Sequence, residues 1–239
     1  MTMIIGVIAD SGIILASDTR CMIGSPKKYV GYHEQARKIA ISPNRILPPV
    51  ACAVACSSEF SFGESIINHA NGILSDNRSH SDNTVCKIHL EFNHRINQIN
   101  TGLFTDFSVI SIFAMFENNV PHISYSSLKS EVKVQRKIGI YSYPIITKDV
   151  YNSFVPTKDE AIGFVKGSIM SMSTVNETIG NEIDILHISN SHLEWIQGES
   201  REIFPIKKKE LYKKYLTDRE KFKATYDYEI LENYLKDNY

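Results

Sequence analysis

The 239-residue chain lacks most of the signals that would settle its class quickly. Its four cysteines, Cys21, Cys52, Cys56 and Cys86, are too few for their length to read as a disulfide framework. Cys52 and Cys56 lie in the small-residue run PPVACAVACSS and read as buried apolar residues, since a C-x3-C there has no further ligands at useful spacing. No apolar run approaches the ~20 residues a membrane helix needs. No basic leader precedes the first apolar stretch, which Asp10 interrupts, so a signal peptide is not expected and a cytoplasmic protein is. A formal net charge of -1 gives neither nucleic acid nor an anionic membrane a reason to be the main partner. The histidines form no H-E-x-x-H or comparable set, so no metal or other cofactor is expected, and solvated or interface positions are expected for them. No composition break or internal repeat divides the chain.

What is present is ordered. Met3 to Val7 and Gly12 to Ala16 are β-branched-rich runs on either side of Ala9-Asp10-Ser11-Gly12, the pattern of a hairpin. Residues 21 to 36 read as a loop with room for one short strand. Arg37 to Ile41 opens a third strand, prolines at 48 and 49 suit an edge or bulge, and Val50 to Ala55 is a buried strand of small residues. The apolar period then changes to helical at Phe62, Ile66, Ile67, Ala70, Ile73 and Leu74, and again from Thr84 through Val85, Ile88, Phe92 and Ile96.

Strands return at Phe107 to Phe116, Pro121 to Ser126 and Val132 to Ile140, with Asn118-Asn119 as the first turn. Residues 144 to 154 read as helical. A further helix starts at Thr157, where Thr157 and Glu160 have capping-box spacing. Glu182 to Ile188 and His192 to Gln197 form a second hairpin. Beyond Pro205 the chain is charged and aromatic at rough helical spacing. Strands, two helices, strands, one or two helices and strands again predict an α+β fold, a four-layer αββα sandwich of two antiparallel sheets flanked by helices. Residues 1–204 form that domain, and 205–239 a helical extension of it.

The pattern Thr2, Gly6, Asp10-Ser11-Gly12, Ala16-Ser17-Asp18-Thr19-Arg20, Arg37-Lys38-Ile39 and Ala55-Cys56-Ser57-Ser58-Glu59 resembles a proteasome β-type subunit, one of the N-terminal nucleophile hydrolases. Length and the C-terminal extension look closer to the bacterial proteasome-like homologues called Anbu. The resemblance implies a threonine-type peptidase without cofactor, acting on peptide or unfolded protein within a homo-oligomeric ring or stack. It implies Thr2 as nucleophile once Met1 is lost, Asp18 and Lys38 as its charged setting, and the Ala55 backbone N–H as oxyanion donor.

The residue types suit that chemistry. A terminal threonine carries a hydroxyl nucleophile and, in its own α-amine, a base with an unperturbed pKa of ~7.7–8.0. A nearby ammonium favours loss of protons from both, and a carboxylate keeps the ammonium oriented. An oxyanion donor supplies roughly 3–4 kcal/mol.

Departures from the family pattern fall later in the chain. Where the family has Gly-Ser-Gly, this chain has Ile138-Gly139-Ile140-Tyr141-Ser142-Tyr143, leaving Ser142 as a possible supporting residue. Asn176 and Ile179 stand where the family has Asp and Ser, with Thr178 or Ser173 as candidate substitutes. Two alternatives therefore stay open: a structural subunit with weak or no activity, and another amidase or transpeptidase of the same fold.

Overall fold

A computed structural model describes residues 2–25, 28–33, 36–43, 48–57, 60–76, 84–99, 108–128, 130–136, 140–144 and 155–198. The expected helix over 144–154, apart from Pro144, and the helical tail beyond Pro205 lie outside them. None of the described helices is long and apolar enough to cross a membrane.

The chain opens with the expected hairpin, β1 (Ile4–Ala9) and β2 (Gly12–Asp18). Next come β3 (Cys21–Ser25) and β4 (Lys28–His33), then β5 (Ile39–Ile41) and β6 (Val50–Ser57). Two helices follow, α1 (Phe60–Asp76) and α2 (Val85–Ile99), then β7 (Ser108–Glu117), β8 (Val120–Ser127), β9 (Lys133–Arg136) and β10 (Ile140–Tyr143). The described residues close with α3 (Lys158–Val175), β11 (Ile183–Ile188) and β12 (Leu193–Gln197). The strands make two five-stranded sheets, β10-β1-β2-β11-β12 and β5-β6-β7-β8-β9, with every pairing antiparallel.

Two expectations change. The loop expected over 21–36 holds a two-stranded antiparallel ribbon of β3 and β4. The single strand expected over 132–140 is two strands: β9 pairs with β8 in one sheet, and β10 pairs with β1 in the other. An apolar alternation reports that a segment is extended, not which sheet edge it joins.

Three apolar clusters hold these elements together. Ile66, Ile67, Ala70 and Leu74 of α1, with Val85, Ile88 and Phe92 of α2, pack on Val50, Cys52, Val54 and Phe113. Phe92 and Phe113 meet edge-to-face at 5.3 Å. A second cluster lies between the sheets, where Ile4, Ile8, Ile13 and Leu15 meet Ala51, Ala53, Ala55, Ile112 and Ile123. In the third, Met3, Ile5, Val7, Ile14 and Ala16 meet Ala161, Val165 and Ile169 of α3.

Strand β6 explains its own composition. Its even positions face the helices and its alanines face the other sheet, so it reads as one unbroken apolar run. The alanines and Gly6 let the sheets approach; a Cβ on Gly6 would lie 3.0 Å from an Ile112 methyl. Cys52 is fully buried in the helix-facing cluster, as the small-residue reading expects.

The local signals are realised where the residues demand them. Thr157 caps α3 in a full capping box with Glu160. Asn118 and Asn119 have φ of 51° and 63°, the left-handed pair that a tight hairpin turn requires. The histidines differ from expectation. His94 is exposed, but His89 is fully buried under the first cluster, bonded to Ser124 Oγ at 2.8 Å and Ser111 Oγ at 2.7 Å. Burial pushes its imidazole down to about 3. Asn93, one turn on, donates to Ser126 Oγ at 3.0 Å.

Candidate active site

The residues singled out at the N-terminus gather at one end of the two sheets. Thr2 lies just before β1 and is buried, 7% exposed. Antiparallel pairing continues past β1, since Asp18 N–H donates to Met3 O at 3.1 Å. Asp18 ends β2 and is fully buried. Lys38 stands one residue before β5, in the opposite sheet, at 6% exposure.

An ion pair joins the sheets at this end. Lys38 Nζ lies 2.9 Å from both Asp18 oxygens and also donates to the Arg20 carbonyl. The same carboxylate accepts backbone N–H bonds from Met3 at 2.7 Å, Arg20 at 3.0 Å and Gly180 at 3.0 Å. Each polar partner compensates part of the cost of burying the charge, so the carboxylate sits in one orientation. Met3 N and Lys38 Nζ share Asp18 Oδ1, which brings the ammonium within two hydrogen bonds of the peptide unit following Thr2. The neighbouring Ser17 hydroxyl is fully buried and has no hydrogen-bond partner among the described residues.

Lys38 is held from both sides. Its carbonyl accepts from Val54 N–H at 2.9 Å, and Ala36 N–H donates to Thr19 O at 2.9 Å. Arg37, buried, stacks its guanidinium 4.6 Å over the Trp195 ring and donates to Gly198 O at 2.7 Å.

The other expected residues stand as follows. Ala55 is buried in β6 opposite Ile110 of β7. Backbone N–H directions alternate along a strand. Val54 N–H points to Lys38, so Ala55 N–H points away, toward β7, and Cys56 N–H returns to the Lys38 side beyond the start of β5. Ser142 is buried in β10 opposite Ile5, on the face that packs against α3. Asn176 caps the end of α3, and its Oδ1 accepts from Thr178 N at 3.0 Å and Thr178 Oγ1 at 2.6 Å. Ser173 Oγ donates to the Met170 carbonyl within its own helix, and Ile179 is a core residue.

Two contributors had no side-chain signal in the sequence. Gly180 reaches Asp18 through its backbone, and Arg20 does so while its guanidinium bonds the Glu177 carbonyl. Together they tie the turn after α3 to the end of β2. A backbone donor is invisible to residue-type reasoning.

The chain is thus an α+β protein of two antiparallel five-stranded sheets, closed at one end by a buried carboxylate–ammonium pair beside its second residue. No family model matches the sequence, and no curated protein matches it. Solved structures do match in fold, Anbu proteins among them, the group to which length and the C-terminal extension look closer. Anbu from Hyphomicrobium sp. strain MC1 aligns with a TM-score of 0.59 at 12% identity, over 94% of this chain and 98% of that chain. An Anbu (Gly-1) mutant from the same strain aligns with a TM-score of 0.58 at 12% identity, over 95% and 98%.

Proposed function

We propose that this chain is a proteasome-like N-terminal nucleophile hydrolase of the Anbu type, a threonine peptidase that acts through Thr2 after removal of Met1. The observation that carries the reading is the Asp18 carboxylate shared between Lys38 Nζ and the backbone N–H that follows Thr2. In this reading the three apolar clusters separate the four layers of an αββα sandwich. Residues 1–204 form the domain and 205–239 its helical extension. The domain assembles with copies of itself into a ring or stack in the cytoplasm.

The Thr2 hydroxyl transfers its proton to its own α-amine and attacks the scissile carbonyl carbon. The tetrahedral intermediate collapses to an ester on Thr2, and the amine leaving group departs with the transferred proton. Water, deprotonated by the same amine, then releases the acyl group and restores the hydroxyl. Lys38, oriented by Asp18, supplies positive potential where the oxygen charge develops. Cys56 N–H takes the oxyanion role expected of Ala55, because strand alternation turns it to the Lys38 side.

A specific observation favours the inactive-subunit alternative. Asn176 stands where the family has Asp and is bonded to Thr178, Ile179 stands where it has Ser and lies in the core, and Ser142 lies on the α3 face. The experiment separates the two. Intact-mass measurement should show loss of Met1, and a β-lactone or epoxyketone probe should add to Thr2 in the wild type but not in Thr2→Ala. A chain that keeps Met1 rules out the mechanism. A processed, assembled chain that resists labelling favours the structural subunit.

A further inference from the structure

At the other end of the β2–β11 pairing from Asp18, a second group of side chains converges. His187 in β11 lies directly opposite Glu194 in β12, and His192 ends the turn between them. One ligand atom from each of the three lies within 4.8 Å of the other two. The sequence shows these residues only as H-x4-H-x-E, which is no helical metal motif; the hairpin register makes them neighbours.

We propose that His187, His192 and Glu194 form a binding site for a divalent transition metal of the zinc class. Two imidazoles and a carboxylate are a donor set that zinc accepts, with water completing a tetrahedron. Tetrahedral bonds of ~2.0–2.1 Å put ligand atoms about 3.3 Å apart. His187 Nδ1 and Glu194 Oε2 already stand 3.3 Å apart. His192 and Glu194 are exposed, so the rest of the contraction needs only surface side chains to move.

The surrounding bonds set the ring for this role. His187 Nε2 lies 3.2 Å from the Ser11 carbonyl oxygen and 3.3 Å from the Ser11 hydroxyl, so the tautomer with its proton on Nε2 donates to that carbonyl. A histidine that donates one N–H to a backbone carbonyl and offers its other nitrogen is the usual arrangement of a metal ligand. In a neutral ring, Nδ1 then points its lone pair at a carboxylate oxygen. A metal ion placed between them would bind both. His192 Nδ1 is 2.7 Å from Ser189 Oγ and 3.2 Å from Ser191 Oγ, so Nε2 is the ring nitrogen outside these two bonds.

Lys158, at the start of α3, lies 2.7 Å from Glu194 Oε2. A carboxylate has lone pairs enough for both cations, but the ammonium opposes the metal's charge and weakens its binding. An ion bound here would staple the β11–β12 hairpin to the β1–β2 turn through Ser11, and to α3 through Lys158. This site is independent of any chemistry at Thr2.

The test is calorimetric titration of the tag-free, chelator-treated full chain with ZnCl2. Saturable 1:1 binding is expected, weakened at least about 10-fold by His192→Ala and by Glu194→Gln, both exposed positions where folding is safe. Lys158→Met should strengthen binding several-fold, opposite to the effect expected if Lys158 merely supports a structural ion pair. With Co2+ in place of Zn2+, visible d–d absorption should appear in the wild type and vanish in both ligand variants. Failure to bind below millimolar Zn2+, or affinity unchanged in both ligand variants, overturns the proposal.

Discussion

Lowering the pH from 7.5 to 5 should cost the folded protein about 2 kcal/mol through His89 alone. Its imidazole lies in α2 with its ring 4.7 Å from that of Phe113 and both nitrogens bonded to serine hydroxyls. Burial lowers it to about 3, against ~6.5 for the unfolded chain. At pH 7.5 both states are neutral and the group contributes no pH dependence. Below about 6.5 the unfolded state takes up a proton that the native state refuses, so stability falls by ~1.4 kcal/mol per pH unit until about pH 3. At pH 5 that is 1.5 units, hence about 2 kcal/mol, a large part of the ~5–15 kcal/mol a domain has. The assay is urea unfolding of wild type and His89→Gln at both pH values. Glutamine cannot titrate, so the variant should start less stable at pH 7.5 yet lose about 2 kcal/mol less on acidification. His69 and His122, which burial also holds low, titrate in both proteins and cancel. An equal pH loss in the two proteins would refute the reasoning.

Further outcomes are expected in the same unfolding assay. Lys38→Ala leaves the Asp18 carboxylate fully buried without its cation and should destabilise by about 3 kcal/mol; a loss under ~1 kcal/mol would mean the pair does not close this end of the sheets. Gly12→Ala places a Cβ 2.2 Å from the Ile188 carbonyl oxygen at a φ of +147°, and should cost more than about 3 kcal/mol or prevent folding. Gly72→Ala, in open space on α1, should instead stabilise by up to ~1 kcal/mol. Thr157→Ala removes the cap of α3 and should cost about 1 kcal/mol.

Local physics was legible in the residues. Apolar period marked the opening hairpin, α1, α2, α3 and the β11–β12 hairpin. Thr157 with Glu160, and Asn118 with Asn119, announced their cap and turn because a backbone bond or a positive φ restricts the residue type. Asp18 and Lys38 were legible as a pair through a resemblance, which spacing alone would not have supplied.

Long-range pairing decided the rest. Residues 132–140 divide between two sheets, β3 and β4 form a ribbon, and His89 is buried, because packing selects among extended or helical segments that look alike one at a time. The backbone donors Gly180 and Met3 on Asp18, and the turn of Cys56 N–H rather than Ala55 N–H toward Lys38, depend on ladder direction, which side chains do not encode. His187 and Glu194 face each other only because the β11–β12 register sets them opposite. The sequence by itself determined the opening hairpin, helices α1, α2 and α3 and the β11–β12 hairpin, since these follow from side-chain periodicity and local backbone preference. Only the tertiary structure decided which of their residues meet, because a meeting across sheets is a property of register and layer packing.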